Sequence, residues 1–219
     1  MYFQDRRDAG RKLVEAMAGL TDLERAVVLA LPRGGVPVGY EVARAFHLAL
    51  DILIVRKLGV PSQPELAMGA MTSNGTVVFN SEIVSALHIS EEAIASVIAR
   101  ETLEMGRQES AYREACPALV LEGRSVILVD DGLATGASMR AAVHAMRKVA
   151  GGVTIAVPVG ASDTCRALAS EVDRVVCAVV SGNLGAVGAF YGNFEPTSDD
   201  EVRALLAEAR DRHSHLTGS

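Results

Sequence analysis

The fold is decided by the stretch Val126-Ile127-Leu128-Val129-Asp130-Asp131-Gly132-Leu133-Ala134-Thr135-Gly136-Ala137-Ser138. Its first four residues are apolar, which predicts a buried strand, and two carboxylates follow where the chain should leave the sheet. A turn of small and hydroxyl-bearing residues then leads into a helix predicted over 138–149. This order of strand, acid pair, turn and helix is typical of one unit of a parallel α/β sheet.

The segments on both sides of this stretch continue the alternation of strands and helices. Apolar spacing predicts helices over 9–20, 37–46 and 164–170, and strands over 26–31, 52–55, 153–159 and 175–180. Ser198-Asp199-Asp200-Glu201 has the form of a capping box and predicts the start of a last helix. We therefore expect an α/β fold, a parallel sheet with helices on both faces.

The segment between the strand at 52–55 and residue 113 is less regular. Residues 56–75 contain Gly59, Pro61, Pro64, Gly69 and Gly75, which predict a long loop, followed by a strand over 76–79. A charged helix from Ser90 to Arg113 is best interpreted as a solvated insertion. We expect a single domain over 1–219 with a helical insertion at about 80–116.

Composition limits the function classes. The chain has 219 residues, 49% hydrophobic and 22% charged, the balance of a globular protein, and its net charge of −6 argues against a nucleic-acid partner. No apolar run approaches the roughly 18 residues of a membrane span, and the first residues lack a signal-peptide core, so we expect a cytoplasmic location. Cys116, Cys165 and Cys177 have the spacing of neither a disulfide framework nor a zinc site, and read as buried hydrophobes.

Three predicted strand ends carry chemistry, because ligands of open parallel sheets bind beyond the carboxyl ends of the strands. Asp130 and Asp131 can accept hydrogen bonds from a diol such as ribose, and the turn 134–138 opens a helix whose free N–H groups attract phosphate. The alternative for this stretch is an ordinary surface turn that binds no ligand. At Arg33-Gly34-Gly35 the glycines allow close backbone approach to an anion, although the motif taken alone is better explained by a plain turn. Arg56-Lys57 is either an anion site or a solvated basic pair.

The run 126–138 resembles the phosphoribosyl pyrophosphate (PRPP) signature of the type I phosphoribosyltransferases, except at Gly132, where that family usually has an aliphatic residue. The whole chain is most similar to a bacterial group of predicted phosphoribosyltransferases. The shared motifs are Arg33 to Gly35, Arg56-Lys57, Pro64 to Ala67, Asp130 to Gly136, and Gly185 to Ala189.

The resemblance implies a role for each of these residues. Asp130 and Asp131 would hold the ribose hydroxyls, and the 5′-phosphate would bind Ala134, Thr135, Gly136, Ala137 and Ser138. Pyrophosphate would bind Arg33, Gly34, Gly35, Arg56 and Lys57, with the segment from Arg56 to Gly75 acting as a flexible active-site loop. The catalytic group would be Asp130, Asp131, Arg56 and Lys57. Phe190 and Tyr191, with Phe194 close by, would stack on the acceptor base or else pack in the core.

The implied reaction transfers the 5-phosphoribosyl group of PRPP to a nitrogenous acceptor, possible acceptors including a nucleobase, and releases pyrophosphate, as in nucleotide salvage. Mg²⁺ would be the cofactor, held mainly through PRPP rather than by direct protein ligands, and the protein would be a homodimer. In the family that the chain resembles, enzymes acting on 6-oxopurines usually have an acid at the position of Ala134. Because alanine cannot transfer a proton, the resemblance disfavours 6-oxopurine acceptors. The main alternative is a non-catalytic regulatory protein that binds PRPP or a nucleotide. A phosphohydrolase is disfavoured because it needs Asp-x-Asp, whereas Asp130 and Asp131 are adjacent.

Overall fold

The computed structural model describes residues 2–20, 23, 26–113 and 118–217, so the prediction for Cys116 lies outside the described residues. The helices are α1 (Arg6–Met17), α2 (Gly35–Ala45), α3 (Ser81–Ala86), α4 (Glu91–Arg113), α5 (Ala137–Met146), α6 (Ser162–Ala169) and α7 (Asp199–Thr217). The strands are β1 (Val27–Ala30), β2 (Ala49–Ile52), β3 (Val55–Val60), β4 (Gln63–Thr72), β5 (Val77–Phe79), β6 (Ser125–Val129), β7 (Gly152–Ala161) and β8 (Arg174–Ser181).

Five of these strands form a parallel sheet in the order β2-β1-β6-β7-β8. Alternate residues face opposite sides, as the strand period of two requires. Val28 and Ile127 pack with residues of α1, α2 and α7, whereas Val27 and Leu128 pack with residues of α5 and α6. Both faces are therefore buried, which explains the continuous apolar runs and confirms the predicted α/β fold with helices on both faces.

The prediction of a long loop over 56–75 is wrong. This segment forms β3 and β4, an antiparallel pair that β5 extends into a separate three-stranded sheet. The pairing shifts register on both sides of Gly59, where a side chain would collide with the backbone of Pro64. Gly69 is pressed equally closely against the backbone of Val78. The glycines thus permit a bulged, tightly packed hairpin instead of breaking it.

The strand predicted over 52–55 lies three residues earlier, as β2. Arg56 and Lys57 consequently do not end a strand of the main sheet but lie within β3.

Helix α4 occupies the span predicted from Ser90 to Arg113, and the backbone N–H of Ala93 donates to Ser90 Oγ at its start. The helix is not fully solvated, because Val97 and Met105 are buried in the same core cluster as residues of β3 and α7. The predicted capping box at the last helix is confirmed by the hydrogen bond from the Glu201 N–H to Ser198 Oγ, 3.1 Å. Within the described part of the chain, no helix is both long enough and apolar enough to cross a membrane.

The central position of Leu128 gives a test of this packing. Leu128 is fully buried in β6, so Leu128→Ala should lower the free energy of unfolding by about 2–5 kcal/mol in urea titrations. Leu103→Ala is the matched control, because Leu103 on α4 is 78% exposed and its removal should cost less than about 0.5 kcal/mol. Equal losses in the two variants would contradict the packing described here.

Candidate functional site

The site is built where β1 and β6 end side by side. Ala30 is paired in register with Val129, the last residue of β6, and the Leu31 N–H donates to the Val129 carbonyl over 2.8 Å. The loop that follows β1 and the loop that follows β6 therefore leave the sheet at the same level. Parallel register thus brings Gly34 and Gly35 into contact with Asp131 and Asp130.

Two glycines allow these loops to touch. A Cβ on Gly35 would lie 2.6 Å from the Val129 carbonyl oxygen and 3.0 Å from Asp130 Cα. A Cβ on Gly34 would overlap the Asp131 carboxylate. The atoms around Gly35 are backbone, so no larger residue fits there, whereas a side chain at position 34 would displace the Asp131 carboxylate.

Arg6, which sequence reasoning missed, is part of this site. Its Nε donates to Asp131 Oδ2 at 2.8 Å, its Nη1 donates to the Glu195 carbonyl at 2.7 Å, and its guanidinium lies 4.0 Å from the centre of the Phe194 ring. The Arg6 and Asp131 side chains are only 11% and 17% exposed, which strengthens the ion pair relative to one in water. No local pattern could reveal this pair, because its members are 125 residues apart.

Asp130 has a different environment from Asp131. Its Oδ1 accepts the Asp131 backbone N–H at 2.9 Å. Burial, followed by the neighbouring Asp131 carboxylate, raises the pKa of Asp130 to about 8. The acid pair thus has more negative charge than its surroundings readily stabilise, and a hydroxyl donor or a cation would relieve it.

The predicted phosphate turn is placed at the beginning of α5. Gly136 has φ +72°, a left-handed conformation that favours glycine, and it directly precedes the first residue of the helix. The Thr164 hydroxyl donates to the Ala134 carbonyl at 2.7 Å and fixes the turn against α6. Ala137 and Ser138 are exposed, so the N-terminal end of α5 is accessible to an anion.

The two predicted pyrophosphate arginines lie on different elements, and each has a carboxylate partner. Arg33 is 46% exposed and its Nη1 lies 3.5 Å from Asp199 Oδ1 at the start of α7. Arg56 Nη2 donates to Glu101 Oε2 on α4 at 2.6 Å. Burial opposes ionisation of Glu101, but hydrogen bonds from Arg56 and Arg100 outweigh it and lower the pKa of Glu101.

The aromatic residues after β8 mainly pack against the N-terminal segment. Tyr191 is 6% exposed, contacts the rings of Phe3 and Phe194, and donates its hydroxyl to the Asp131 carbonyl at 2.5 Å. Burial raises the pKa of Tyr191, so this hydroxyl stays protonated. Phe190 stacks on Tyr2 with ring centres 5.3 Å apart. These contacts give Tyr191 a packing role under the acid pair, while stacking of an acceptor on Phe190 stays a prediction.

Comparisons with known proteins agree on one family. The model of the "Phosphoribosyl transferase domain" matches residues 5–188. Curated proteins from two Mycobacterium tuberculosis strains, each named "Putative phosphoribosyl transferase", are 44% identical over 208 residues, 94% of this chain and 47% of theirs. The chain thus spans about half the length of the curated relatives it matches. The crystal structure of the protein TT1426 from Thermus thermophilus superposes with a TM-score of 0.85 at 40% identity, covering 95% of this chain and 99% of that one.

Replacing Gly35 by alanine adds one methyl group and tests how closely the two loops approach each other. Gly35→Ala should destabilise the protein by about 1–3 kcal/mol, because its Cβ would be forced into the Val129 carbonyl. Gly19→Ala is the control, since a Cβ there has nothing within 4 Å. Chemical denaturation of both variants measures the difference. Equal stability would contradict the close approach of the loops.

The raised pKa of Asp130 predicts that the stability of the folded protein depends on pH. The folded chain keeps a proton on Asp130 up to about pH 8, whereas the unfolded chain releases it near the ordinary aspartate pKa of 3.8, so stability falls as the pH rises from about 4 to about 8. Asp130→Asn cannot lose this proton. Its melting temperature should therefore exceed that of the wild type by a margin that grows over this range. A margin that is constant with pH would contradict the raised pKa.

Proposed function

Since the chain belongs to the phosphoribosyl transferase domain family, we propose that it transfers the 5-phosphoribosyl group of PRPP to a nitrogen acceptor and releases pyrophosphate. The observation that carries this proposal is the meeting of three groups at one sheet edge. They are the Asp130-Asp131 acid pair, the glycine loop 33–35 and the turn 134–138 at the start of α5. Because the curated relatives are about twice as long, the activity of the whole protein belongs to the proposal as well.

Each group has a part in binding. The acid pair accepts the ribose hydroxyls, and the turn with its helix N-terminus holds the 5′-phosphate. The glycine loop presents backbone and the Arg33 guanidinium to pyrophosphate, and Arg56 and Lys57 add positive charge from β3. These groups hold the sugar and the leaving group in a fixed orientation, so that a nitrogen nucleophile can reach C1′.

Magnesium fits the chemistry of this site. Asp130 and Asp131 offer hard oxygen donors, and a cation would stabilise the charged form of Asp130, whose pKa is raised by burial and by the neighbouring Asp131 carboxylate. Mg²⁺, bound mainly through PRPP oxygens beside these acids, would neutralise the charge of the departing pyrophosphate. The protein's own residues then need to orient PRPP and exclude water rather than form a covalent intermediate.

Ala134 narrows the choice of acceptor. The family resemblance implies that an acid at this position of the turn would transfer the proton of a 6-oxopurine, and the methyl group of Ala134 cannot do so. We therefore propose an acceptor that needs no proton transfer from this position.

Two measurements test the function. Calorimetry with PRPP and Mg²⁺ should show binding, and a pyrophosphate-release assay over a panel of nucleobases and amines should show sustained turnover with at least one acceptor. Replacing both acids (Asp130→Ala with Asp131→Ala) should weaken PRPP binding ~100-fold or more, since the two side chains that accept hydrogen bonds from the ribose hydroxyls are lost. Asp211→Asn, an exposed acid on α7, is the control and should bind as the wild type does.

The two measurements distinguish an enzyme from a non-catalytic regulatory protein. Binding without turnover for any acceptor would favour the regulatory alternative. An absence of PRPP binding, or affinity that survives loss of both acids, would contradict the proposed function.

A further inference from the structure

Helix α4 forms one wall of a cleft, and β3 forms the other. The cleft is lined by Val55, Arg56, Lys57, Gly59, Pro64, Arg100 and Glu101. Three of these side chains are cationic and one is acidic, so the cleft is locally positive in a chain whose net charge is −6. Such a local field attracts a small anion regardless of the overall charge.

Glu101 fixes the cationic groups of this cleft. Both Nε and Nη2 of Arg56 donate to Glu101 Oε2, at 2.9 and 2.6 Å, and Arg100 Nε donates to Oε1 at 3.2 Å. Two donors on one acceptor define the plane of the Arg56 guanidinium, which a single contact would leave free to rotate. Glu101 is 8% exposed, so it is a wall residue of the cleft, whereas the Arg100 side chain is 65% exposed and can swing toward a ligand.

The same helix also reaches the other predicted pyrophosphate arginine. Near the end of α4, burial and then the negative charge of the neighbouring Asp199, the acid that pairs with Arg33, raise the pKa of Tyr112. Helix α4 therefore binds Arg56 directly through Glu101, and its Tyr112 lies close to the ion pair between Arg33 and Asp199. An independent solvated insertion would not have these connections.

We propose that α4 is a binding element of the pyrophosphate site, in which Glu101 positions the Arg56 guanidinium and Arg100 supplies an additional cation. This inference rests on the proposed function, because it takes pyrophosphate as the anion that the cleft receives. It adds two residues that the sequence motifs do not contain.

Replacing Glu101 distinguishes a positioning role from a simple effect of charge, because the two predict opposite changes in the affinity for an anion. Removing the negative charge of Glu101 makes the cleft more positive, so Coulomb attraction alone predicts tighter anion binding. Loss of positioning predicts the opposite, because Arg56 must then be ordered at the expense of binding energy. Glu101→Asp keeps the charge but withdraws the carboxylate by one methylene, and positioning predicts weaker binding there too.

The experiment measures the affinity of the full chain for inorganic pyrophosphate with Mg²⁺, and separately for ribose 5-phosphate. Glu101→Gln, Glu101→Asp and Arg100→Met should each weaken pyrophosphate binding ~10- to 150-fold, the range for one hydrogen bond to a charged group. Their affinity for ribose 5-phosphate should stay within ~2-fold of the wild type, which a general loss of structure would not allow.

Glu92→Gln and Arg174→Met are the matched controls. Glu92 is exposed at the start of α4 and Arg174 is exposed at the start of β8, and both variants should bind pyrophosphate as the wild type does.

Each other outcome is decisive. Tighter binding by Glu101→Gln would show that Glu101 only competes with the ligand and would overturn its positioning role. Unchanged pyrophosphate affinity in all three variants, with ribose 5-phosphate still bound, would overturn this inference alone. A wild-type chain that binds neither ligand would overturn the proposed function together with the inference.

Discussion

The structure depends on the parallel pairing of β1 with β6 and on the absence of side chains where their loops meet. Val129 accepts a hydrogen bond from the first residue after β1, and Gly35 can pass so close to the Val129 carbonyl only because it lacks a Cβ. This contact turns two separate sequence motifs into one surface. The acid pair and the glycine loop can then act on the same ligand.

Most charged side chains of the site form ion pairs with other residues of the same chain. Asp131 is paired with Arg6, Arg33 with Asp199, and Arg56 with Glu101. Such pairs hold long side chains in place before a ligand arrives, which reduces the entropy lost on binding. Asp130 instead accepts a backbone N–H, and burial raises its pKa. It is therefore the group of the pair that gains most from a hydrogen bond or a cation supplied by a ligand.

The sequence predicted the elements whose pattern is local. β6 and the helix after it followed from an apolar run and a turn of small residues, and the last helix followed from the Ser198 cap. The hairpin of β3 and β4 was missed because Gly59 and Gly69 resemble breakers, whereas tertiary packing uses them for close strand contact. Arg6 and Glu101 could not be identified, since each acts on a residue far away in the chain.

The central claim is that a ribose phosphate spans the acid pair and the turn at the start of α5. Amide NMR spectra recorded during titration with ribose 5-phosphate test it most directly, because each N–H reports on its own surroundings. The account predicts shifts at Asp130, Asp131 and residues 134–138, with the shifts at 134–138 lost when ribose without phosphate replaces the ligand. Shifts that avoid this edge of the sheet, or that are identical for the two ligands, would contradict it.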